Sequence, residues 1–217
     1  MFTGIIEEAG VIREALSEGG GIRFTIQAPV SSRELHVNDS VSVNGVCQTV
    51  VGRSEGTFTV QAVEETLRKT TLQHLGAGKR VNIELPVRLN DRLSGHLVQG
   101  HVDCVGTIAA IRELESSRLV TIDFPPAFAR YVVPVGSIAV DGVSLTIAER
   151  KGSQLTVSII PHTLAKTTLA DLKTGAEVNL EFDVIGKYVE SLLVTRGQGE
   201  AVSALTAEKL RQWGYDI

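Results

Sequence analysis

At 217 residues the chain suits one large domain or two small ones, and with 43% hydrophobic and 21% charged residues it is composed like an ordinary globular protein, neither disordered nor membrane-spanning. A net charge of −4 and an aromatic content of 5% leave neither the clustered cations nor the stacking platforms of a nucleic-acid binder. Two cysteines, Cys47 and Cys104, exclude a disulfide framework, and neither has the paired spacing of a zinc site.

The start, Met1-Phe2-Thr3-Gly4, lacks the basic stretch and apolar run of a secretory signal. No segment approaches the roughly 18 apolar residues of a membrane span, so the expected location is the cytoplasm. Ile5, Ile6, Val11 and Ile12 around Gly10, then Gly19-Gly20-Gly21 and an alternating stretch over 22–27, have the signature of a hairpin. The triple glycine lacks the spacing and the following helix of a dinucleotide fingerprint. Period-2 alternation in Val41-Ser42-Val43-Asn44, over 57–61 and over 81–85 predicts half-buried antiparallel strands. Between them, 66–72 predicts a short helical turn with Thr66 as its N-cap.

The stretch Val43-Asn44-Gly45-Val46-Cys47-Gln48-Thr49-Val50 returns as Val140-Asp141-Gly142-Val143-Ser144-Leu145-Thr146-Ile147, an offset of 97 residues (142 − 45) that Thr66-Leu67 and Thr163-Leu164 share. Gly100 and Gly106 answer Gly4 and Gly10 at an offset of 96. A period this long means duplicated domains. Strands over 119–124, 154–159 and 178–182 and a turn over 163–169 repeat the first half. The expected fold is all-β with short helices: two similar six-stranded Greek-key β-barrels, over 1–96 and 97–185, and a helical segment over 186–217. In that segment Tyr188, Val189, Leu192, Leu193 and Thr195 fit a helical stripe, and 206–213 reads as a second helix ending at Gly214. An apolar helical face outside both barrels needs burial, against another subunit or back on its own barrel.

Residues two apart on a strand share a face, so Cys47 with Thr49, and Ser144 with Thr146, make the same small polar pair in each half. Hydrogen-bonded polar residues in a sheet would look alike, but their duplication favours a ligand site. Cys47 alone reads as a small core residue more readily than as a nucleophile. Thr66 and Thr163, at the start of helical turns, place backbone N–H groups where a ligand acceptor could meet them, and ordinary capping explains them equally well. His96 and His101, five apart, face opposite sides of an extended chain and do not make one metal site.

Taken in order, Met1-Phe2-Thr3-Gly4-Ile5-Ile6, Asn44-Gly45-Val46-Cys47-Gln48-Thr49-Val50, Glu65-Thr66-Leu67, Gly95-His96-Leu97-Val98-Gln99-Gly100-His101-Val102-Asp103, Asp141-Gly142-Val143-Ser144-Leu145-Thr146 and Ile160-Pro161-His162-Thr163-Leu164 resemble the riboflavin synthase alpha-chain family over nearly the whole chain. The resemblance implies a transferase that moves a four-carbon unit between two molecules of 6,7-dimethyl-8-ribityllumazine, giving riboflavin and 5-amino-6-(D-ribitylamino)uracil without metal or organic cofactor. It implies two lumazine-binding barrels and a homotrimer, with association with lumazine synthase known in some relatives, and no nucleic-acid or membrane partner.

By the same resemblance Cys47, Ser144, His101, Asp183 and Phe2 are the expected catalytic residues, and Ser40 joins the substrate contacts. The expected N-barrel site groups Gly4, Ile5 and Ile6 with Cys47, Gln48 and Thr49 and with Gln61, Ala62, Val63, Glu64, Glu65 and Thr66. The C-barrel site groups Gly100, His101 and Val102 with Ser144, Leu145 and Thr146 and with Ser158, Ile159, Ile160, Pro161, His162 and Thr163. The chain departs from the family at Val135, where a lysine is common. Non-catalytic lumazine- or flavin-binding antenna proteins share the duplicated barrels; survival of both polar pairs and of His101 here favours the enzyme.

Overall fold

The computed structural model describes residues 1–198 and 211–214, with backbone alone for 195–198. Strands β1 (Glu8–Glu18), β2 (Gly21–Gln27), β3 (Ser40–Val43), β4 (Val46–Ser54), β5 (Thr57–Ala62) and β6 (Arg80–Glu84) close into one antiparallel barrel in the order β1-β2-β5-β4-β3-β6. Strands β7 (Cys104–Glu113), β8 (Arg118–Asp123), β9 (Ser137–Val140), β10 (Val143–Lys151), β11 (Gln154–Ile159) and β12 (Glu177–Phe182) close a second barrel with the same connectivity. Closure leaves no sheet edge to pair with a stranger. Alternation fills each interior: Phe58, Val60 and Ala62 of β5 and Leu155, Val157 and Ile159 of β11 all point inward and are buried. The duplicated, all-β Greek-key architecture expected from the repeat is the one present.

Asn44-Gly45 and Asp141-Gly142 are not strand residues but the two-residue turns of the β3–β4 and β9–β10 hairpins, all four with positive φ. Such turns match the right-handed twist of the strands they join, and Asn, Asp and Gly tolerate that backbone best. The two turns abut where the barrels meet. A methyl group on Gly45 would stand 2.6 Å from the Gly142 nitrogen, and one on Gly142 2.7 Å from the Gly45 nitrogen. The repeated motif is therefore the seam of the molecule as well as a strand of each barrel.

Helices α1 (Glu64–Lys69) and α2 (Pro161–Lys166) differ from expectation in their starts: Val63 and Ile160 occupy the N-cap positions, and Thr66 and Thr163 lie inside the helices. The capping threonines are Thr70 and Thr167. Each accepts the N–H two residues on, at 3.3 Å, to start a following 3-10 turn, and donates its hydroxyl to the Thr66 or Thr163 carbonyl. Acidic Glu64 and Glu65, favourable in a first turn, replace a side-chain cap in α1.

Both barrels fall in one compact unit, Met1–Asp183, and helix α3 (Val184–Gln198) begins a second. Tyr188, Val189, Leu192 and Leu193 of α3 are all exposed. The helix expected over 206–213 falls largely outside the described residues. No helix among the described residues is long and apolar enough to cross a membrane.

Candidate functional site

On β4, Gln48 and Val50 point into the barrel while Cys47 and Thr49 lie on the outer face; on β10, Leu145 and Ile147 point inward while Ser144 and Thr146 lie outside. The shared faces expected from strand periodicity are thus present in both copies. Ser40 pairs with Thr49 across β3 and β4, placing a second hydroxyl-bearing residue beside the Cys47 strand.

Over each polar pair lies an extended arm, and the arms are exchanged between barrels. The Ser144 N–H donates to the Gly4 carbonyl at 2.8 Å, and the Cys47 N–H donates to the Gly100 carbonyl at 2.9 Å. Gly4, Ile5 and Ile6 therefore accompany Ser144 rather than Cys47, and Ile6 packs on the second barrel's core. Gly100, His101 and Val102 accompany Cys47 rather than Ser144, and Val102 packs on the first barrel's core. This corrects the grouping expected from the sequence.

The cause lies in how the arms are anchored. The buried Glu84 carboxylate, ending β6, accepts the Thr3 N–H at 2.6 Å, the Thr3 hydroxyl at 2.8 Å and the Gly4 N–H at 3.0 Å. Glu181, on β12, accepts the Gln99, Gly100 and His101 N–H groups at 2.6, 2.9 and 2.9 Å. A carboxylate with several N–H donors converging on it holds backbone firmly. Each arm is thus clamped by the barrel it leads into and reaches over the other. The arms pair where they cross, the Phe2 N–H donating to the Val98 carbonyl at 2.7 Å and the Val98 N–H returning at 3.1 Å. Gly4 and Gly100, with φ of 79° and 78°, fit where a methyl would stand 2.6 Å from Ser144 Cβ and 2.7 Å from Cys47 Cβ.

On the Ser144 side a cleft of about 140 Å³ opens between the arm and α2, lined by Gly4, Ile5, Ile6, Val143, Ser144, His162, Thr163, Lys166 and Thr167. Ser158, Ile159, Ile160 and Pro161 lead from β11 into α2 at its border, Ile159 buried in the core and Ile160 exposed. On the other barrel, Gln61, Val63, Glu64 and Glu65 line a depression shared with Glu18, Gly19 and Gly21 of the first hairpin. Glu65 is engaged by Lys69 and Arg68, whose hydrogen bonds hold its carboxyl below the usual range. Ala62 is buried and Thr66 half-buried in α1.

Phe2 is fully buried between the arms with Val98 and Ala139, and Cys47 packs against this cluster. Phe2 thus stands behind Cys47 as packing. His101 is exposed on the crossing arm, and Asp183 is half-buried after β12. His96, which strand geometry weighed only as a metal ligand, is the residue the sequence did not bring to the site. It is buried, and its Nδ1 lies 2.8 Å from the Ser144 hydroxyl. Burial lowers its pKa from the ordinary imidazole value, and the negative charge of Asp183 opposes the shift. Periodicity could not find it because the segment around His96 is neither strand nor helix. Among the described residues no three His, Cys, Asp or Glu side chains come together as metal ligands.

A family profile described as "Lumazine binding domain" matches the chain twice, over residues 3–86 and 99–183. Riboflavin synthase of Actinobacillus pleuropneumoniae is 40% identical over 215 residues, spanning 99% of this chain and 100% of that protein. Riboflavin synthase of Mycobacterium tuberculosis (strain ATCC 25618 / H37Rv) is 46% identical over 203 residues, spanning 91% of this chain and 100% of that protein. The crystal structure of LumP complexed with riboflavin matches with a TM-score of 0.79 at 26% identity, over 84% of this chain and 99% of that one. LumP complexed with 6,7-dimethyl-8-(1'-D-ribityl) lumazine matches with a TM-score of 0.76, over 83% and 98%.

Proposed function

The chain belongs to the riboflavin synthase family, and from that premise we propose that each of its two polar pairs, under its exchanged arm, holds one lumazine molecule. The chain is a transferase that dismutates two molecules of 6,7-dimethyl-8-ribityllumazine, passing a four-carbon unit from one to the other to give riboflavin and 5-amino-6-(D-ribitylamino)uracil. The observation that carries the placement is the repetition of one construction, a hairpin strand with a small polar pair covered by a glycine-bearing arm. Two identical substrates call for two like sites. Identities of 40% and 46% to riboflavin synthases, against 26% to LumP, favour the enzyme over a non-catalytic binder.

The substrate's 7-methyl group is already acidic, so the protein's task is to orient two rings, assist proton movement and stabilise developing charge. Cys47 and Ser144 stand at the floors of the two half-sites, and the arm residues Gly4, Ile5, Ile6, Gly100, His101 and Val102 form their covers. His101, Asp183 and Ser40 supply further polar groups in this reading, and Phe2 supports Cys47 from behind. Holding two rings face to face makes the bimolecular step effectively unimolecular, worth about 7 to 11 kcal/mol in favourable cases. The two half-sites that react together belong to neighbouring subunits of a homotrimer. The exposed apolar face of α3, Tyr188, Val189, Leu192 and Leu193, is its assembly surface.

The test is incubation of the purified chain with 6,7-dimethyl-8-ribityllumazine alone and a chelator. One riboflavin should appear for every two lumazines consumed. Tight lumazine binding with no riboflavin formed would reverse the reading in favour of a binder.

A further inference from the structure

We propose that His96 is a positioning residue for Ser144, fixing the direction of the serine hydroxyl so that one half-site presents an oriented donor and the other does not; the proposal rests on the reading of Ser144 as a substrate contact. His96 is 8% exposed, and its Nδ1 lies 2.8 Å from Ser144 Oγ. Ser144 lines the cleft and His96 does not, so the imidazole acts from behind the serine. Its backbone is fixed as well: the His96 N–H donates to the Thr3 carbonyl at 3.1 Å. Gly95 makes this approach possible, because a methyl there would run into the Thr3 carbonyl and stand 3.0 Å from Ser144 Cβ.

The direction of the hydrogen bond follows from the other ring nitrogen. His96 Nε2 is buried and, among the described residues, meets no hydrogen-bond partner. A neutral imidazole carries one N–H, and a buried N–H without an acceptor is rarer and costlier than an unused lone pair. The proton therefore sits on Nδ1 and is donated to Ser144 Oγ. Burial favours this neutral form, since it disfavours the charged ring that would put a second N–H on Nε2. A hydroxyl has one hydrogen to give. With His96 donating into one of its lone pairs, Ser144 keeps that hydrogen for an acceptor in the cleft.

Among the described residues nothing equivalent stands behind Cys47. Its neighbours there are the apolar side chains of Phe2, Val98 and Ala139, and among the described residues no side chain hydrogen-bonds the thiol. One half-site thus has an oriented hydroxyl donor and the other an unoriented thiol. A dismutation that needs one substrate molecule to give and the other to receive requires a difference of this kind between otherwise duplicate sites.

The assignment is tested with His96→Asn, whose amide can still donate at the position of Nδ1, and His96→Phe, which refills the ring volume without a donor. Relative to wild type, His96→Phe should lower kcat at least about tenfold with lumazine dissociation constants within about threefold, and His96→Asn should hold kcat within about threefold. Combining His96→Phe with Ser144→Ala should cost no more than Ser144→Ala alone. Equal losses in the Asn and Phe variants, or additive losses in the double variant, would overturn the assignment while leaving wild-type turnover in place. Absence of riboflavin from the wild type would instead remove the functional reading beneath it.

Discussion

Asn82 and Asn179 reach across the seam in opposite directions. The Asn82 side-chain amide donates to the Asp141 carbonyl and the Asn179 amide to the Asn44 carbonyl, both at 2.9 Å. Each also accepts an N–H from the opposite barrel, Asn82 from Thr168 and Asn179 from Thr71, both at 2.8 Å. Both asparagines are buried, so removing either side chain leaves buried partners across the seam unsatisfied. Replacing either asparagine by alanine is expected to destabilise the chain by about 1 to 3 kcal/mol for each group left unsatisfied. Urea unfolding of Asn82→Ala and Asn179→Ala measures this, and losses below half a kcal/mol would mean the seam is held by packing alone.

The same seam holds a buried carboxyl group, that of Asp141. Asp141 is fully buried beside the Asn179 N–H, and burial pushes its carboxyl from 3.8 up to about 7. The folded chain therefore binds this proton more tightly than the unfolded chain, so the stability Asp141 contributes is full below about pH 4 and is lost as pH rises toward 7. In the first barrel Asn44 fills the same position and accepts the Asn82 N–H at 2.7 Å. Asp141→Asn should accordingly leave the melting temperature nearly unchanged at pH 4 and raise it increasingly up to pH 8. Parallel stability curves for variant and wild type would contradict a buried titrating Asp141.

Exchange of the arms makes the effects of the two clamps cross over. Glu181→Gln turns an amide against the N–H groups of Gln99, Gly100 and His101 and should loosen the arm over Cys47, whereas Glu84→Gln should loosen the arm over Ser144. Cys47 is half-buried and Cys104 buried, so thiol alkylation reports on the first arm. Its rate should rise about tenfold or more in Glu181→Gln, the equivalent of losing about 1.5 kcal/mol of charged hydrogen bonding, and clearly less in Glu84→Gln, whose arm touches Cys47 only through Phe2. A larger acceleration in Glu84→Gln than in Glu181→Gln would mean the arms are not exchanged.

Val135 carries backbone strain. Its φ is 63°, at the place where the first barrel has Asn38 with φ 79°, and it is 80% exposed. A β-branched residue is poorly suited to this left-handed region and asparagine is well suited. Val135→Asn should stabilise the chain by about 1 kcal/mol, read as an upward shift in calorimetric midpoint. An unchanged or lower midpoint would mean the loop relaxes around valine without strain.

Much of the architecture was legible because period-2 alternation and a repeat at an offset of 97 residues can be read from the order of residues without knowing any contact. The outward face of Cys47 and Thr49 follows from strand geometry alone. What could not be read was anything set by contacts between distant segments. Asn44-Gly45 looked like the end of a strand because the alternation of β3 runs straight into it; only the hairpin partner makes it a turn. Thr66 looked like a helix cap because a threonine precedes an apolar helical pattern, yet acidic Glu64 and Glu65 begin the helix earlier. The pairing of Gly4 with Ser144 spans the whole first barrel. Its determinant, the reach of an arm past the barrel that anchors it, leaves no trace in spacing.

The crossed arms bear on how a chain of this design could arise. A lone barrel with its arm would carry a clamp and a polar pair but no cover for that pair, because its arm points away. A second identical barrel related by a twofold axis would return the favour, each subunit completing the other through one self-complementary interface. Joining the two in one chain leaves that interface intact and replaces dilution-dependent association with an effective concentration on the order of millimolar. Once fused, the halves are free to diverge, and substitutions such as Asn44 against Asp141 or Cys47 against Ser144 can accumulate on one side of the axis only.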